Sequence, residues 1–444
     1  MIYLLAIILF SMIIVMFFLN DRDFLSPAVI SCSTFFICVF LAASYSVMWN
    51  LPMHFNTSIV IISQMLIFCL GVCLPAWTVF QNDERKIVQQ SNDMNFLIND
   101  ECSISFVWVF IFIFIMGVLF YFSYQEVKTL ASQFSDSTNL FSSVKVLNDH
   151  LQNGDIQFSK WNTIRFCFAG SVAYVYLFFS LHEFIYKFNW KAVLLLIPVV
   201  GYIPFIIISG GRQPFIYLAI YSFITLSILI MRKNGRDKKK AIKSILWITS
   251  FLGILFFIAF FGIGLLNGKI SSEANLYKVL VHYAGININA LDVYINKMVI
   301  PEPLYPGTLT LANVYKHLHF FGIDIPMSYN TYITSFVYFG DISTNVYTAF
   351  RRYIQDYGYI GCTIIMFFMG FFYGTFYNFV KYQRIGNLGL IYYGVFCYPF
   401  FLFCREERFM IELLTVSTLY KLFFLFIIYY LATKKWGRFI HENL

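Results

Sequence analysis

Apolar runs of about twenty residues, separated by short polar segments, make up most of the 444-residue chain. A helix needs about 20 apolar residues to cross a bilayer, and a spanning helix satisfies its backbone hydrogen bonds internally. The pattern therefore predicts eleven membrane-spanning helices. They are predicted at residues 2–19, 28–48, 58–80, 104–124, 163–185, 191–209, 213–231, 245–266, 357–379, 387–404 and 411–432.

Two polar segments between these runs are longer than a connection requires. Residues 125–161 have room for an amphipathic helix at about 140–151. Residues 267–356 are rich in Tyr, Asn and Gly, and they contain too many aromatic and β-branched residues for disorder. We expect this second segment to fold against the helices as a cap.

The chain accordingly divides into three predicted regions. Residues 1–266 hold the first eight spans and the loop at 125–161. Residues 267–356 form the large loop, and residues 357–444 hold the last three spans and a tail.

Composition supports the same class of protein. Hydrophobic residues make up 59% of the chain and aromatic residues 21%, whereas charged residues make up only 12%. Ordinary globular domains contain about 25% charged residues, so this chain has too few to cover a soluble surface. The sequence predicts an all-α polytopic membrane protein.

The net charge of +8 reflects topology. Seven of the 31 basic residues lie in one short segment, Arg232 to Lys243, between two apolar runs. The positive-inside rule places this segment in the cytoplasm. Alternation then places the N-terminus and both long segments outside and the C-terminus inside. No nucleic-acid partner is needed to explain the charge.

Charged residues inside the predicted spans are few. Among the acidic residues only Glu183 and Glu412 fall within span limits, and Lys421 is the one basic residue deep in a span. Proton relays and ion pathways need such groups within the membrane. Their scarcity argues against ion-coupled transport.

Arginines recur in three turns that the topology places outside. They are Arg212 in SGGRQP, Arg351 and Arg352 in FRRYIQDYG, and Arg405 and Arg408 in CREERFMIE. The planar guanidinium binds phosphate through two hydrogen bonds and stays charged when desolvated. The pattern favours a lipid-diphosphate site. The alternative is that these arginines anchor helix ends at lipid headgroups or pair with neighbouring glutamates.

Histidines give no metal-binding pattern. His317 and His319 are two residues apart and do not share a helical face, so their spacing argues against a zinc site. His282 and Asp341 are possible general bases, although a structural role for each is the simpler interpretation. No cofactor is predicted.

Two segments carry a resemblance to a known family. They are SGGRQPF at 209–215 and STNVYTAFRRYIQDYGYIG at 343–361, a glycine–arginine turn and an N-x-Y-T…D-x-G segment that leads into a span. In these motifs, and in its plan of spans and a large outer loop, the chain resembles the O-antigen polymerase (Wzy) family. The motifs cover about 30 residues, whereas the plan covers the whole chain.

The resemblance implies a GT-C-like glycosyltransferase of the bacterial inner membrane that acts at the periplasmic face. Such an enzyme transfers the growing glycan from undecaprenyl diphosphate to an incoming lipid-linked repeat unit, and a separate protein regulates chain length. No metal or other cofactor is implied. An O-antigen ligase and a lipid-linked oligosaccharide flippase remain as alternatives.

The resemblance also implies roles for particular residues. Arg212, Arg351 and Arg352 would bind the diphosphate, and the sugar site would be lined by Asn345, Tyr347 and Thr348. Arg405 and Arg408 join the diphosphate site on the topology argument. Asp356 or Glu406 would accept the proton of the acceptor hydroxyl, and the sequence does not choose between these two carboxylates.

Overall fold

The computed structural model describes most of the chain. The described residues are 1–46, 53–78, 104–134, 143–147 except 145, 158–187, 189–234, 242–245, 247, 250, 253, 261–262, 275–297, 305–323 except 321, 336–339 and 342–433. Within them the fold is α-helical apart from one short hairpin.

The helices and strands follow one another in this order. They are α1 (Ile2–Leu19), α2 (Pro27–Tyr45), α3 (Phe55–Thr78), α4 (Phe106–Ala131), α5 (Lys160–Tyr186), α6 (Lys191–Leu194), α7 (Ile197–Ile208), α8 (Gln213–Asn234), α9 (Leu276–Ala284), α10 (Ile286–Lys297), α11 (Ala312–Phe320), β1 (Val337–Phe339), β2 (Ile342–Thr344), α12 (Ala349–Lys381), α13 (Asn387–Phe396), α14 (Tyr398–Leu402), α15 (Met410–Leu413) and α16 (Val416–Ala432).

The predicted class of fold is confirmed. The described residues include eight helical segments long and apolar enough to cross a membrane, and two shorter apolar ones, Asn387–Leu402 and Val416–Ala432. These ten correspond to ten of the eleven predicted spans. The remaining prediction, 245–266, lies largely outside the described residues. The last span begins at Val416, later than predicted, because α15 is a separate short helix.

The chain forms two compact units, and each is discontinuous in sequence. The first unit contains residues 1–92, 274–384 and 396–415, and the second contains residues 93–273, 385–395 and 416–444. In the second unit, α5 is central and packs against α4, α7, α8 and α16. The hydroxyl of Tyr221 on α8 donates a hydrogen bond of 2.8 Å to the backbone oxygen of Tyr174 on α5.

The first unit is organised around the contact between α3 and α12. A Cβ atom on Gly370 would lie 2.2 Å from the backbone oxygen of Phe68, and one on Gly374 would lie 2.4 Å from that of Val72. A Cβ atom on Gly71 would lie 2.3 Å from the backbone oxygen of Phe367. The two backbones approach this closely because these positions carry no side chain, which is the usual basis of tight helix packing in membranes.

The two helices run in the same direction. Gln64 on α3 donates a 3.0 Å hydrogen bond to Thr363 on α12, and further along both helices Val72 contacts Gly374. Both helices therefore begin at the same membrane face. The N-terminal end of α12 and the N-terminal end of α3 lie on one side of the first unit.

A buried carboxylate ties the other end of α12 to the turn between α1 and α2. Asp23 is 5% exposed, accepts a 2.7 Å hydrogen bond from the Tyr377 hydroxyl and forms a 2.9 Å ion pair with Lys381. Its second oxygen accepts from the backbone nitrogen of Leu25 at 3.0 Å. A buried charge in a membrane protein needs such partners.

The large segment at 267–356 contains ordered structure wherever it is described. Helices α9, α10 and α11 are followed by a hairpin in which Val337 pairs with Thr344 and Phe339 with Ile342. Helix α10 packs against α2 and α3, as expected of a segment that folds against the helices.

The glycine contact gives a testable prediction. Replacing Gly370 with Ala places a methyl group against the backbone of Phe68, so we expect a loss of about 1–3 kcal/mol, the usual cost of overpacking. The measurement is thermal unfolding of the purified protein in detergent. Gly117→Ala is the matched control, because no atom lies within 4 Å of its added Cβ. Equal melting temperatures for the two variants would contradict the prediction.

Candidate functional site

The first part of α12 forms the frame of the site. Gly358 has φ 67° and ψ −176°, so the helix is interrupted there and residues 349–357 form a separate piece before the spanning part. A positive φ of this kind favours glycine. The backbone nitrogen of Ala349 donates a 2.9 Å hydrogen bond to the backbone oxygen of Phe403. The ring of Phe350 stacks on the ring of Phe35 with 5.3 Å between the ring centroids. The piece is thereby fixed against Phe403 on one side and against α2 on the other.

Arg351 lies between two tyrosine rings. Its guanidinium carbon is 4.0 Å from the centroid of the Tyr347 ring and 5.6 Å from that of Tyr294 on α10. Arg351 is 6% exposed. Desolvated cation–π contacts of this kind are among the stronger ones, and they keep a positive charge within a mostly apolar surrounding.

Arg352 belongs to a charged network with the segment at 403–409. Its Nη2 lies 3.3 Å from Oε1 of Glu406. The other oxygen of Glu406 pairs with Arg408, which also pairs with Glu412. The four side chains are between 14% and 23% exposed. Because these side chains are largely buried, their ion pairs hold them in place more firmly than fully exposed ion pairs would.

Two adjacent glutamates have opposite electrostatic environments. Burial alone would raise the pKa of Glu406, but Arg408, Arg352 and Arg405 together outweigh it and hold the pKa below its ordinary value. Burial raises the pKa of Glu407, and Arg352 and several donors offset this only in part. Glu407 is 1% exposed. It accepts hydrogen bonds from the Tyr353 hydroxyl at 2.9 Å and from the first backbone nitrogens of α15.

Asp356 holds the segment before α11. Its carboxylate accepts hydrogen bonds from the backbone nitrogens of Leu309 and Thr310, the latter at 2.7 Å, and from the Thr310 hydroxyl at 2.8 Å. Asp356 is 5% exposed. These donors make it a positioning residue for residues 305–313. A role as general base, for Asp356 or for Glu406, stays a prediction.

Several buried polar atoms at this place have no hydrogen-bond partner in the described part of the chain. They are Nη1 of Arg352, Nε of Arg405, Oγ1 of Thr348 and both side-chain amide atoms of Gln355. Arg352 and Gln355 are three residues apart and so share one side of the helical piece, and Thr348 directly precedes its first turn. Buried polar groups in native proteins are nearly always hydrogen-bonded. Concentrated beside two arginines, they indicate a site for a polar, anionic ligand.

The structure brings most of the predicted site residues together in the first unit. These are Asn345, Tyr347, Thr348, Arg351, Arg352, Asp356, Arg405, Glu406 and Arg408. Asn345 is exposed, whereas Tyr347 and Thr348 are buried. Arg212 is also buried but belongs to the second unit, in the turn where Gly210 has φ 64°. Its predicted share in diphosphate binding stays a prediction.

Sequence reasoning missed three contributors to the site. Tyr294 provides the second ring beside Arg351, Glu407 fixes the start of α15, and Gln355 adds two buried amide atoms. The acidic pair at 406–407 is visible in the sequence, but nothing there distinguishes the residue that pairs with arginines from the one that caps a helix.

The described residues contain no group of three or more His, Cys, Asp or Glu side chains arranged to hold a metal ion. The fold and this cluster define a multi-pass α-helical membrane protein with a buried cluster of arginines in its first unit.

The chain is similar to a protein of Shigella dysenteriae named O-antigen polymerase. The two are 27% identical over 168 residues, which is 36% of this chain and 40% of that protein. This similarity supports the resemblance of the chain to the O-antigen polymerase family. No protein-family model matches the chain, and no solved structure matches it.

The contacts of Asp356 predict its effect on the fold. Asp356→Ala leaves the backbone nitrogens of Leu309 and Thr310 without their acceptor, so we expect a loss of about 1–3 kcal/mol. We also expect faster amide hydrogen exchange in residues 305–320, measured by mass spectrometry. Exposed Asn345→Ala is the control, and unchanged exchange in Asp356→Ala would contradict the prediction.

The lowered pKa of Glu406 predicts a dependence of stability on pH. A carboxyl group whose folded pKa is depressed stabilises the protein fully above its ordinary pKa, about 4.3. This stabilisation is lost as the pH falls through the lower folded pKa. We expect Glu406→Gln to melt earlier than wild type above pH 5 and the difference to shrink toward pH 3. A difference independent of pH would contradict the assignment.

Proposed function

We propose that this protein is a surface-polysaccharide polymerase of the O-antigen polymerase type. It transfers the growing glycan from undecaprenyl diphosphate to an incoming repeat unit that is linked to the same lipid. The reaction takes place at the periplasmic face of the bacterial inner membrane. The observation that carries the proposal is the buried arginine cluster of the first unit, read together with the similarity to the Shigella dysenteriae protein.

The chemistry of the donor explains why arginines are needed. As the acceptor oxygen forms a bond to the anomeric carbon, the bond from that carbon to the diphosphate oxygen breaks. The electron pair leaves with undecaprenyl diphosphate, so negative charge grows on the leaving group. Preorganised cations in a partly desolvated site stabilise such charge, and removing one donor of this kind costs about 10²–10³ in kcat in other enzymes.

The geometry supports different roles for the four arginines. Arg352 and Arg405 retain buried nitrogens that no described residue accepts from, and these can donate to phosphate oxygens. Arg408 pairs with Glu406 and Glu412 and holds the cluster in place. Arg351 contributes positive charge from its place between the two tyrosine rings.

The remaining residues follow from these assignments. Arg212 lies in the second unit, and its share in diphosphate binding stays a prediction from the sequence. Asn345 would contact sugar hydroxyls from its exposed position, while Thr348 and Gln355 would do so from inside the site. The proposed partners are lipid-linked repeat units, membrane lipids and a regulator of chain length. No metal or cofactor is part of the proposal.

The test uses a strain that lacks this gene and carries one variant at a time. We expect Arg352→Ala, and separately Arg212→Ala, to collapse the lipopolysaccharide ladder on a gel to lipid core plus a single repeat unit. Arg165→Ala is the matched control, because Arg165 pairs with Glu126 at 3.2 Å within the second unit and has no assigned role. Amounts of membrane-inserted protein are compared by immunoblotting.

The pattern of the ladder separates the alternatives. Core with one repeat unit means that export and ligation continue and polymerisation has stopped. Bare core in the deletion strain would favour a ligase or a flippase, which are the other functions this plan could support. An unchanged ladder in the deletion strain would exclude a role in this polysaccharide. Normal glycan length in both arginine variants would contradict the proposed diphosphate site.

A further inference from the structure

A cavity of about 190 Å³ lies in the first unit, where α1, α3 and α12 end and α2 begins. Its wall includes Asp21, Asp23, Ser26 and Lys381, together with the ring of Trp77 on α3. A single water needs about 10–15 Å³ of such space, and pockets for drug-sized ligands are about 300–1,000 Å³. The cavity is therefore of a size for a small polar group, such as the headgroup of a lipid.

Two charged residues of the wall neutralise each other. Nζ of Lys381 lies 2.9 Å from Oδ2 of Asp23, and the Tyr377 hydroxyl donates to the same oxygen at 2.7 Å. The side chain of Asp23 is 4% exposed. Because this carboxylate is buried and paired, the charges that select a ligand are set by other parts of the wall.

The N-terminal end of α2 is one such part. Ser26 is the N-cap of α2, and a serine at this position usually accepts a hydrogen bond from a backbone nitrogen of the first turn. Ser26 makes no such bond. It is 1% exposed, and its Oγ has no hydrogen-bond partner among the described residues. The first nitrogens of a helix have no partner within it and carry about half a positive charge, so an uncapped start beside a cavity is suited to a phosphate.

Asp21 gives the same wall a negative charge. It lies in the turn between α1 and α2 and is exposed, in contrast to the buried and paired Asp23. A purely anionic ligand would be repelled by Asp21, and a purely cationic one would be repelled by the start of α2. A ligand that carries both a phosphate and an ammonium group matches both charges.

The surroundings favour a membrane lipid over a soluble molecule. Trp77 is 44% exposed and lies one residue before the end of α3, and tryptophan is enriched at the level of lipid headgroups. Leu66, Leu70 and Leu74 are each at least 37% exposed. Their spacing of four and then three residues to Trp77 places all four on one face of α3. This apolar stripe leads from the cavity along the span, in the direction of an acyl chain.

We propose that this cavity binds the headgroup of a zwitterionic phospholipid with a primary ammonium group, of the phosphatidylethanolamine class. The phosphate accepts from the Ser26 hydroxyl and from the start of α2. The ammonium pairs with Asp21, and the acyl chains lie along the exposed face of α3. The site lies at the other end of α12 from Arg351 and Arg352, and it is independent of the proposed function.

The test uses the full-length protein in detergent with one lipid added at a time, and native mass spectrometry measures the bound lipid. We expect phosphatidylethanolamine to bind with a Kd about tenfold lower than phosphatidylglycerol, which lacks the ammonium group, because a charged hydrogen bond is worth about 1.5–3 kcal/mol. Phosphatidylcholine is also expected to bind more weakly, since its quaternary ammonium cannot donate a hydrogen bond. Soluble glycerophosphoethanolamine is expected to bind more weakly because it has no acyl chains.

Three variants test the two ends of the headgroup. Asp21→Asn is expected to raise the Kd for phosphatidylethanolamine about tenfold and to leave that for phosphatidylglycerol unchanged. Ser26→Asp places a carboxylate at the N-cap, which repels phosphate, so we expect weaker binding of both lipids. The same carboxylate caps α2, so the melting temperature without lipid is expected to stay equal or to rise. Ser26→Ala removes only the hydroxyl and is expected to weaken both lipids by a smaller factor.

Thr78→Asp is the matched control. It adds a carboxylate at an exposed position at the end of α3 that is not on the wall of the cavity, and we expect the wild-type Kd. Equal affinity of wild type for phosphatidylethanolamine and phosphatidylglycerol, or unchanged binding in folded Ser26→Asp and Ser26→Ala, would overturn the proposal. Binding of glycerophosphoethanolamine as tight as that of the lipid would mean a soluble ligand and would overturn the assignment to a phospholipid.

Discussion

The first unit depends on one close contact between two helix backbones. At Gly71, Gly370 and Gly374 the absence of side chains lets α3 and α12 approach until a Cβ atom would overlap a carbonyl oxygen. Because these helices run in the same direction, the contact fixes the places where both begin relative to one another. The piece before the spanning part of α12 carries the arginines.

The arginine cluster depends on a balance between burial and pairing. Glu406 stays charged because the surrounding arginines outweigh the cost of its burial, whereas Glu407, one residue later, is bound mainly by uncharged donors. A third carboxylate, that of Glu412, pairs with Arg408. Nitrogens on Arg352 and Arg405 keep their capacity to donate. These nitrogens are the groups that the proposed function assigns to the diphosphate.

The sequence predicts the parts of this protein that follow from local composition. Hydropathy located ten of the spans to within a few residues, because the bilayer imposes a length and an apolar character on each helix. The sequence also showed that arginines recur in the turns between spans. It gave no sign of the pairing between His54 and Asp292, which are 238 positions apart, or of the stacking of Tyr294 on Arg351. Such contacts are set by the packing of helices, which no short motif encodes.

The parallel course of α3 and α12 has an electrostatic consequence. Each helix carries a dipole equivalent to about half a positive charge at its first turn. Antiparallel neighbours would cancel this field, but here both positive ends lie on the same face as the arginines. In the proposed function, the backbone would therefore supply part of the attraction for the anionic headgroup. This contribution is independent of side-chain identity and persists when an arginine is replaced.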